Sequence, residues 1–173
     1  LRDARLRLAP QDDGKGLIAT LLVMVRSGPS GPRLEPRTLP MKARESYARA
    51  MTLTIRPAHP GDAPVILDFV QALAEYEKLR HEADLTLWDV EVSFFGAAPR
   101  VFCDIAEQDG KPVGFAVWFY SYSTFRGRHG IYLEDLFVVP EARGLGAGKA
   151  LLAGLARRCR DEGLPRLDWA VLN

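Results

Sequence analysis

Residues 131–150 read Ile-Tyr-Leu-Glu-Asp-Leu-Phe-Val-Val-Pro-Glu-Ala-Arg-Gly-Leu-Gly-Ala-Gly-Lys-Ala. The stretch opens as an apolar run rich in β-formers and stops at Pro140, which has no N–H to give a sheet ladder. The turn Arg143-Gly144-Leu145-Gly146-Ala147-Gly148 follows and leads directly into a helical pattern. A strand, a glycine loop and a helix N-terminus in that order make an anion site. Successive backbone N–H groups converge there, and the helix end carries about half a positive charge. Two familiar phosphate motifs fail letter by letter. A Walker loop needs Ser or Thr after Gly148-Lys149, where Ala150 stands, and its first glycine would fall on Arg143. The dinucleotide fingerprint needs a glycine at 149, which is Lys149, and belongs to the first strand of a βαβ unit with an acidic residue about 20 positions on. The next strand offers only Asp168.

The chain around this loop has 173 residues, 47% hydrophobic and 26% charged, the profile of a globular protein with one ordinary core. Net charge is +1, so bulk electrostatics give no case for nucleic acid. Residues 1–50 carry 10 Lys/Arg against 5 Asp/Glu, and residues 51–173 carry 13 against 17. The portion with the phosphate loop is thus mildly acidic and suits a cationic substrate. Cys103 and Cys159 lie far apart without metal spacing and read as reduced core thiols. No metal site is expected, and His59, His81 and His129 receive no role. The longest apolar run, residues 17–25, is too short to span a bilayer, so no membrane association and a cytoplasmic location are expected.

Residues 1–50 are punctuated by Gly28-Pro-Ser-Gly-Pro and Glu35-Pro-Arg-Thr-Leu-Pro and hold no sustained apolar period. They read as a disordered extension or upstream translation, with Met51 the expected natural start. A targeting peptide is the alternative, against which Asp3, Asp12 and Asp13 argue. From residue 51 a folded domain is expected. A strand over 52–56 leads to Asp62 as helix N-cap. The helix runs to about Lys78 with Val65, Ile66, Phe69, Val70, Leu73 and Ala74 on one face. Thr86 caps a short helix ended by Gly96, and an Asp109-Gly110 hairpin joins strands over 101–107 and 113–122. The strand over 131–139 follows, then a helix over about 147–162 stopped by Gly163 and Pro165, and a last strand over 166–172. The order β-α-α-β-β-β-α-β predicts an α/β (α+β) fold, a mixed and mostly antiparallel sheet with helices on both faces.

That order, together with Arg-Gly-x-Gly-x-Gly after Val-Val-Pro, resembles the GNAT superfamily of N-acetyltransferases and its acetyl-CoA pyrophosphate loop. Tyr76-Glu77, Phe119-Tyr-Ser-Tyr and Tyr132-Leu-Glu-Asp-Leu-Phe-Val resemble the spermidine/spermine (diamine) branch more closely. The resemblance implies acetyl transfer from acetyl-CoA to a primary amine of a small polyamine-like or amino-acid-like substrate, in a homodimer. It carries cofactor contacts onto Leu136, Phe137 and Val138, then Arg143, Gly144, Leu145, Gly146, Ala147, Gly148 and Lys149. The amine side falls on Tyr76, Glu77, Asp135, Asp168 and Trp169, with Glu134 as the catalytic carboxylate. The chemistry needs such types. An alkylamine of pKa ~10.4 is about one part in a thousand neutral near pH 7.4, and reaching that form costs ~4 kcal/mol. A carboxylate can attract the cation and accept its proton, and Glu75 and Glu77 suit the distal ammonium of a polyamine. The family's acid tyrosine follows a Trp-Asn beyond the last strand, a segment that would lie past Asn173. The expectation is a fragment, whose missing strand and helix would leave a sheet edge open. Two other readings remain: an acetyltransferase for protein N-termini or lysines, and a non-catalytic CoA-binding module.

Blander roles are expected for several residues. Glu134 and Asp135 alternate in a strand, so one of them could simply face solvent. Trp118, Tyr120 and Tyr122 alternate too and suit core packing or a dimer contact, while Arg157, Arg158 and Arg160 read as a solvated helix face.

Overall fold

The structure, a computed structural model, describes residues 2–7 and 52–171. Its strands are β1 (Arg2–Arg7), β2 (Leu53–Pro57), β3 (Phe102–Gln108), β4 (Lys111–Ser123), β5 (Arg128–Val138) and β6 (Arg166–Val171). Its helices are α1 (Ala63–Tyr76), α2 (Leu87–Phe95) and α3 (Ala147–Asp161). The sheet runs β1-β6-β5-β4-β3-β2, and every pairing is antiparallel except that of β5 with β6. The expected mixed, mostly antiparallel sheet is therefore present.

Side chains alternate across the sheet and build a core on each face. Cys103 and Ile105 of β3, Phe115 and Val117 of β4 and Phe137 of β5 join Ile66 and Phe69 of α1 and Val90 of α2. On the opposite face Ala106, Ala116, Trp118, Ile131, Leu133, Leu167 and Trp169 meet Leu151, Leu152, Leu155 and Cys159 of α3. Trp118 stacks on Phe102 with ring centroids 4.7 Å apart, the core role expected of it, while Tyr122 is exposed. Both cysteines are free and buried, and burial pushes their thiols up, that of Cys159 to about 11.

Local signals formed as written. Asp109 and Gly110 both take positive φ (53° and 77°), the two-residue turn that suits the twist of a hairpin. Thr86 accepts a hydrogen bond from the Asp89 amide at 3.3 Å, and the Asp89 carboxylate accepts one from the Thr86 amide at 3.0 Å, a complete capping box.

Two expectations need correction. Asp62 does not cap α1 with its side chain. Arg56 takes its carboxylate at 2.6 and 2.9 Å, and the His59 amide donates to it at 2.8 Å, so it pins a 3-10 turn (Pro60–Asp62) to β2 instead. Arg158 is no solvated helix charge. Its guanidinium lies 4.8 Å above the Trp118 ring and 3.6 Å from the buried Asp104. Arg2–Arg7 forms a strand antiparallel to β6, Arg2 opposite Val171 and Arg7 opposite Arg166. A bare β6 edge would offer a row of unsatisfied N–H and C=O groups, and β1 satisfies it. Residues 8–51, the bulk of the expected extension, lie outside the described residues.

Candidate active site

β5 carries an irregularity at its middle. Val117 of β4 faces Asp135, but the next residue, Trp118, faces Leu133, so Glu134 is an extra residue on the β5 side. Such a bulge shifts the alternation by one and re-aims the side chains around it. Leu133 therefore points to the α3 core, and Asp135, opposite Val117, points to the α1 face. Glu134 is exposed, and Asp135 is half-buried.

β5 also parts from β6 at this point. Parallel pairing covers Ile131–Leu167, Tyr132–Asp168 and Leu133–Trp169 and goes no further among the described residues, although β6 continues to Val171 and β5 to Val138. Among the described residues, the β6-facing side of residues 134–138 is thus an open backbone edge. Such an edge offers donors and acceptors to a ligand in place of a strand.

The glycine loop sits at the end of that open edge. Gly144 and Gly146 hold positive φ (78° and 97°), a conformation that an L side chain enters only with strain. Gly146 is the N-cap of α3, and no side chain caps this helix. The first helical bond runs from the Ala150 amide to the Gly146 carbonyl, leaving the amides of Ala147, Gly148 and Lys149 ahead of it. A Cβ on Gly148 would stand 3.5 Å from Leu136, so the first turn of α3 rests on the open part of β5. A Cβ on Gly146 would meet nothing within 4 Å, which leaves room above the loop. Bare amides, a helix end and open space together fit a phosphate group.

The amine-side residues divide. Burial first, and then the charges of Glu134 and Glu77, push the Asp135 carboxyl up to about 6. Those three carboxylates therefore share one acidic corner, with Glu77 supplied by the C-cap of α1. Tyr76, the last residue of that helix, is exposed beside it. Asp168 is buried, with Arg166 Nε 3.2 Å from one oxygen and, among the described residues, no hydrogen-bond partner at the other. Trp169 is not brought to this corner. It lies in the α3 core, on the sheet face opposite Asp135. Leu136 and Val138 pack against the α3 core, Phe137 lies in the α1 core, and Leu145 and Lys149 are exposed. Arg143 is engaged within the protein: its Nε donates to the Val138 carbonyl at 2.9 Å, and its guanidinium lies 4.6 Å from the Tyr76 ring centroid.

A bulged strand that parts from its parallel neighbour and ends in a glycine loop over a helix N-terminus makes an anion-binding site beside an open backbone edge. The Acetyltransferase (GNAT) family model matches residues 66–173, and the chain belongs to that family. Its relatives fit the diamine branch. The chain is similar to the bovine (Bos taurus) thialysine N-epsilon-acetyltransferase, 39% identical over 127 residues that cover 69% of this chain and 74% of the bovine protein. It is 36% identical over 110 residues to the human (Homo sapiens) spermidine/spermine N(1)-acetyltransferase-like protein 1, covering 60% of this chain and 16% of that protein. Among solved structures, a ribosomal-protein-alanine N-acetyltransferase from Brucella melitensis shares the fold, with a TM-score of 0.59, 20% identity and coverage of 70% of this chain and 81% of that one.

Proposed function

We propose that the chain transfers an acetyl group from acetyl-CoA to a primary amine of a small polyamine-like or amino-acid-like acceptor. The observation that carries the reading is the open edge of β5 lying between an acidic corner and the α3 N-terminus. The Ala147, Gly148 and Lys149 amides would hold the pyrophosphate, with Gly144, Leu145 and Gly146 shaping the loop around it. The backbone of Leu136, Phe137 and Val138 would bind the pantetheine arm along the open edge. Acetyl-CoA supplies an acetyl thioester, whose carbonyl is the electrophile.

The acidic corner acts on the other reactant. Glu77, Glu134 and Asp135 attract an ammonium group, and Glu134, exposed on its bulge, takes the proton that must leave before the nitrogen can attack. The C–N bond forms, the C–S bond breaks, and an ammonium plus a thioester become an amide, a thiol and one released proton. Backbone N–H groups on the open edge suit the developing oxyanion. Tyr76 and Asp168 extend the acceptor side, Asp168 through the carboxylate oxygen that has no hydrogen-bond partner among the described residues. The branch relatives, named for thialysine and for spermidine/spermine, support an amine on a short flexible chain.

A homodimer and a cytoplasmic location belong to the same reading and rest on the family resemblance. Sedimentation and cell fractionation test them. Incubation with acetyl-CoA and spermidine or thialysine, followed by mass spectrometry, tests the reaction. A product 42 Da heavier, the mass of an acetyl group replacing a hydrogen, is expected on the small amine. Acetylation of peptide N-termini or lysines alone would move the reading to a protein acceptor. CoA binding without any product would leave a cofactor-binding module.

A further inference from the structure

An arginine opening a phosphate loop is expected to point at phosphate, and Arg143 does something else. It follows the 3-10 turn Pro140–Ala142 in extended backbone, immediately before the left-handed Gly144. From there its side chain turns back into the protein. Nε donates to the carbonyl of Val138, the last residue of β5, at 2.9 Å. The guanidinium carbon stands 4.6 Å from the Tyr76 ring centroid and 5.7 Å from that of the buried Phe137. Tyr76 closes α1 and is 60% exposed, so little of the core holds its ring, and the chain leaves the helix through Glu77 into the left-handed Lys78 (φ 62°). One planar cation thus touches the end of the open strand, the end of the acceptor helix and the glycine loop.

We propose that Arg143 is a positioning residue for the amine site, clamping the Tyr76–Glu77 end of α1 to the open end of β5. The proposal rests on the acetyl-transfer reading and reassigns this side chain from the phosphate to the acceptor. Stacking uses the flat face of the guanidinium and the carbonyl bond uses its Nε, a pair of contacts that an ammonium cannot reproduce together. The loop that holds the cofactor and the helix end that holds the amine then move as one piece. Ordering the loop with CoA orders the amine site, and by linkage each ligand tightens the other by the same factor.

The test uses the full chain, with CoA and spermidine as probes and calorimetry as readout. Arg143→Met keeps an aliphatic stem and removes the guanidinium. It is expected to weaken spermidine binding to the CoA-loaded protein by about three- to fivefold, the upper scale of a solvent-exposed cation–π contact, and to leave CoA affinity within about twofold in the absence of amine. Tyr76→Leu is expected to give a similar loss, and the double variant no further one, because both remove the same contact. Arg143→Lys restores the charge but not the spermidine affinity. A tenfold loss of CoA affinity in Arg143→Met that Lys repairs would overturn the proposal in favour of a phosphate contact. So would losses that multiply in the double variant. An NMR comparison needs no substrate: the Arg143 side-chain protons should be shifted upfield by the Tyr76 ring and return in Tyr76→Leu. Unshifted protons overturn the clamp directly. Wild-type chain that binds CoA and no amine, with the ring shift intact, sinks the acetyl-transfer reading instead.

Discussion

Glu134 and Asp135 are sequence neighbours with different surroundings, and the difference assigns their work. Glu134 is exposed on the bulge, in reach of solvent, and is the proposed base. Removing its charge in Glu134→Gln is expected to lower kcat/KM for the amine by 10²–10⁴-fold, the usual contribution of a positioned base. The CoA-induced thermal shift should persist, because no CoA contact is lost. Asp135 is pushed up to about 6 by burial and by two like charges, above the usual 3.8 of an aspartate. A carboxyl raised in the folded state binds its proton more tightly there than in the unfolded chain. The folded state therefore loses stability as pH rises from about 4 through 6, by an amount on the order of 3 kcal/mol. Asp135→Asn should raise the melting temperature at pH 7.5 and lose that advantage near pH 4. An advantage that is the same at both pH values would contradict this account. Gly146, at φ 97°, carries the loop. Gly146→Ala is expected to cost ~1–2 kcal/mol from the left-handed backbone and to reduce the CoA-induced shift.

At the scale of elements, what could be read in advance was what is encoded within a few residues. The Asp109-Gly110 turn and the Thr86 cap each need only their own letters and their neighbours. The glycine loop is of the same kind, since a strand, positive-φ glycines and a helix start lie within one short stretch. The bulge at Glu134 was also written in the sequence, though less loudly. Apolar positions run Ile131, Leu133 and then Leu136, Val138, so the period of two slips by one between them. Reading Glu134 and Asp135 as plain alternation missed that slip. Partner choice was not legible. Asp62 had the letters of an N-cap, but Arg56, six residues earlier on β2, outbid the α1 amides for its carboxylate. Arg158 looked like one of three surface arginines until β3 and β4 placed Asp104 and Trp118 beneath it. Trp169 sat beside Asp168 in the sequence, and strand alternation sent the two to opposite faces.

Across the whole molecule the sheet is closed on one side by a strand from the far end of the sequence. Arg2–Arg7 pairs with β6, the strand whose parting from β5 opens the site. A proline cannot donate to a ladder, and neighbouring N–H groups of an edge strand alternate in direction, so one of Asp3→Pro and Ala4→Pro should unpair β1 locally. Hydrogen exchange in residues 166–171 should then quicken in the full chain, while α1 and β3 stay protected. Unchanged exchange in both would mean that β1 adds nothing to that edge. The charge balance works at this scale too. Residues 51–173 are net acidic, 13 Lys/Arg against 17 Asp/Glu, a field that favours a polyamine over an anionic acceptor. Salt should therefore raise KM for spermidine more than for a singly charged amine. The measurement closest to the centre of this account is CoA thiol release from acetyl-CoA by the purified chain, with and without spermidine or thialysine, beside Glu134→Gln. Release is expected to depend on the amine and to fall at least a hundredfold in the variant. Release at the same rate without amine, or equal in the variant, would contradict it.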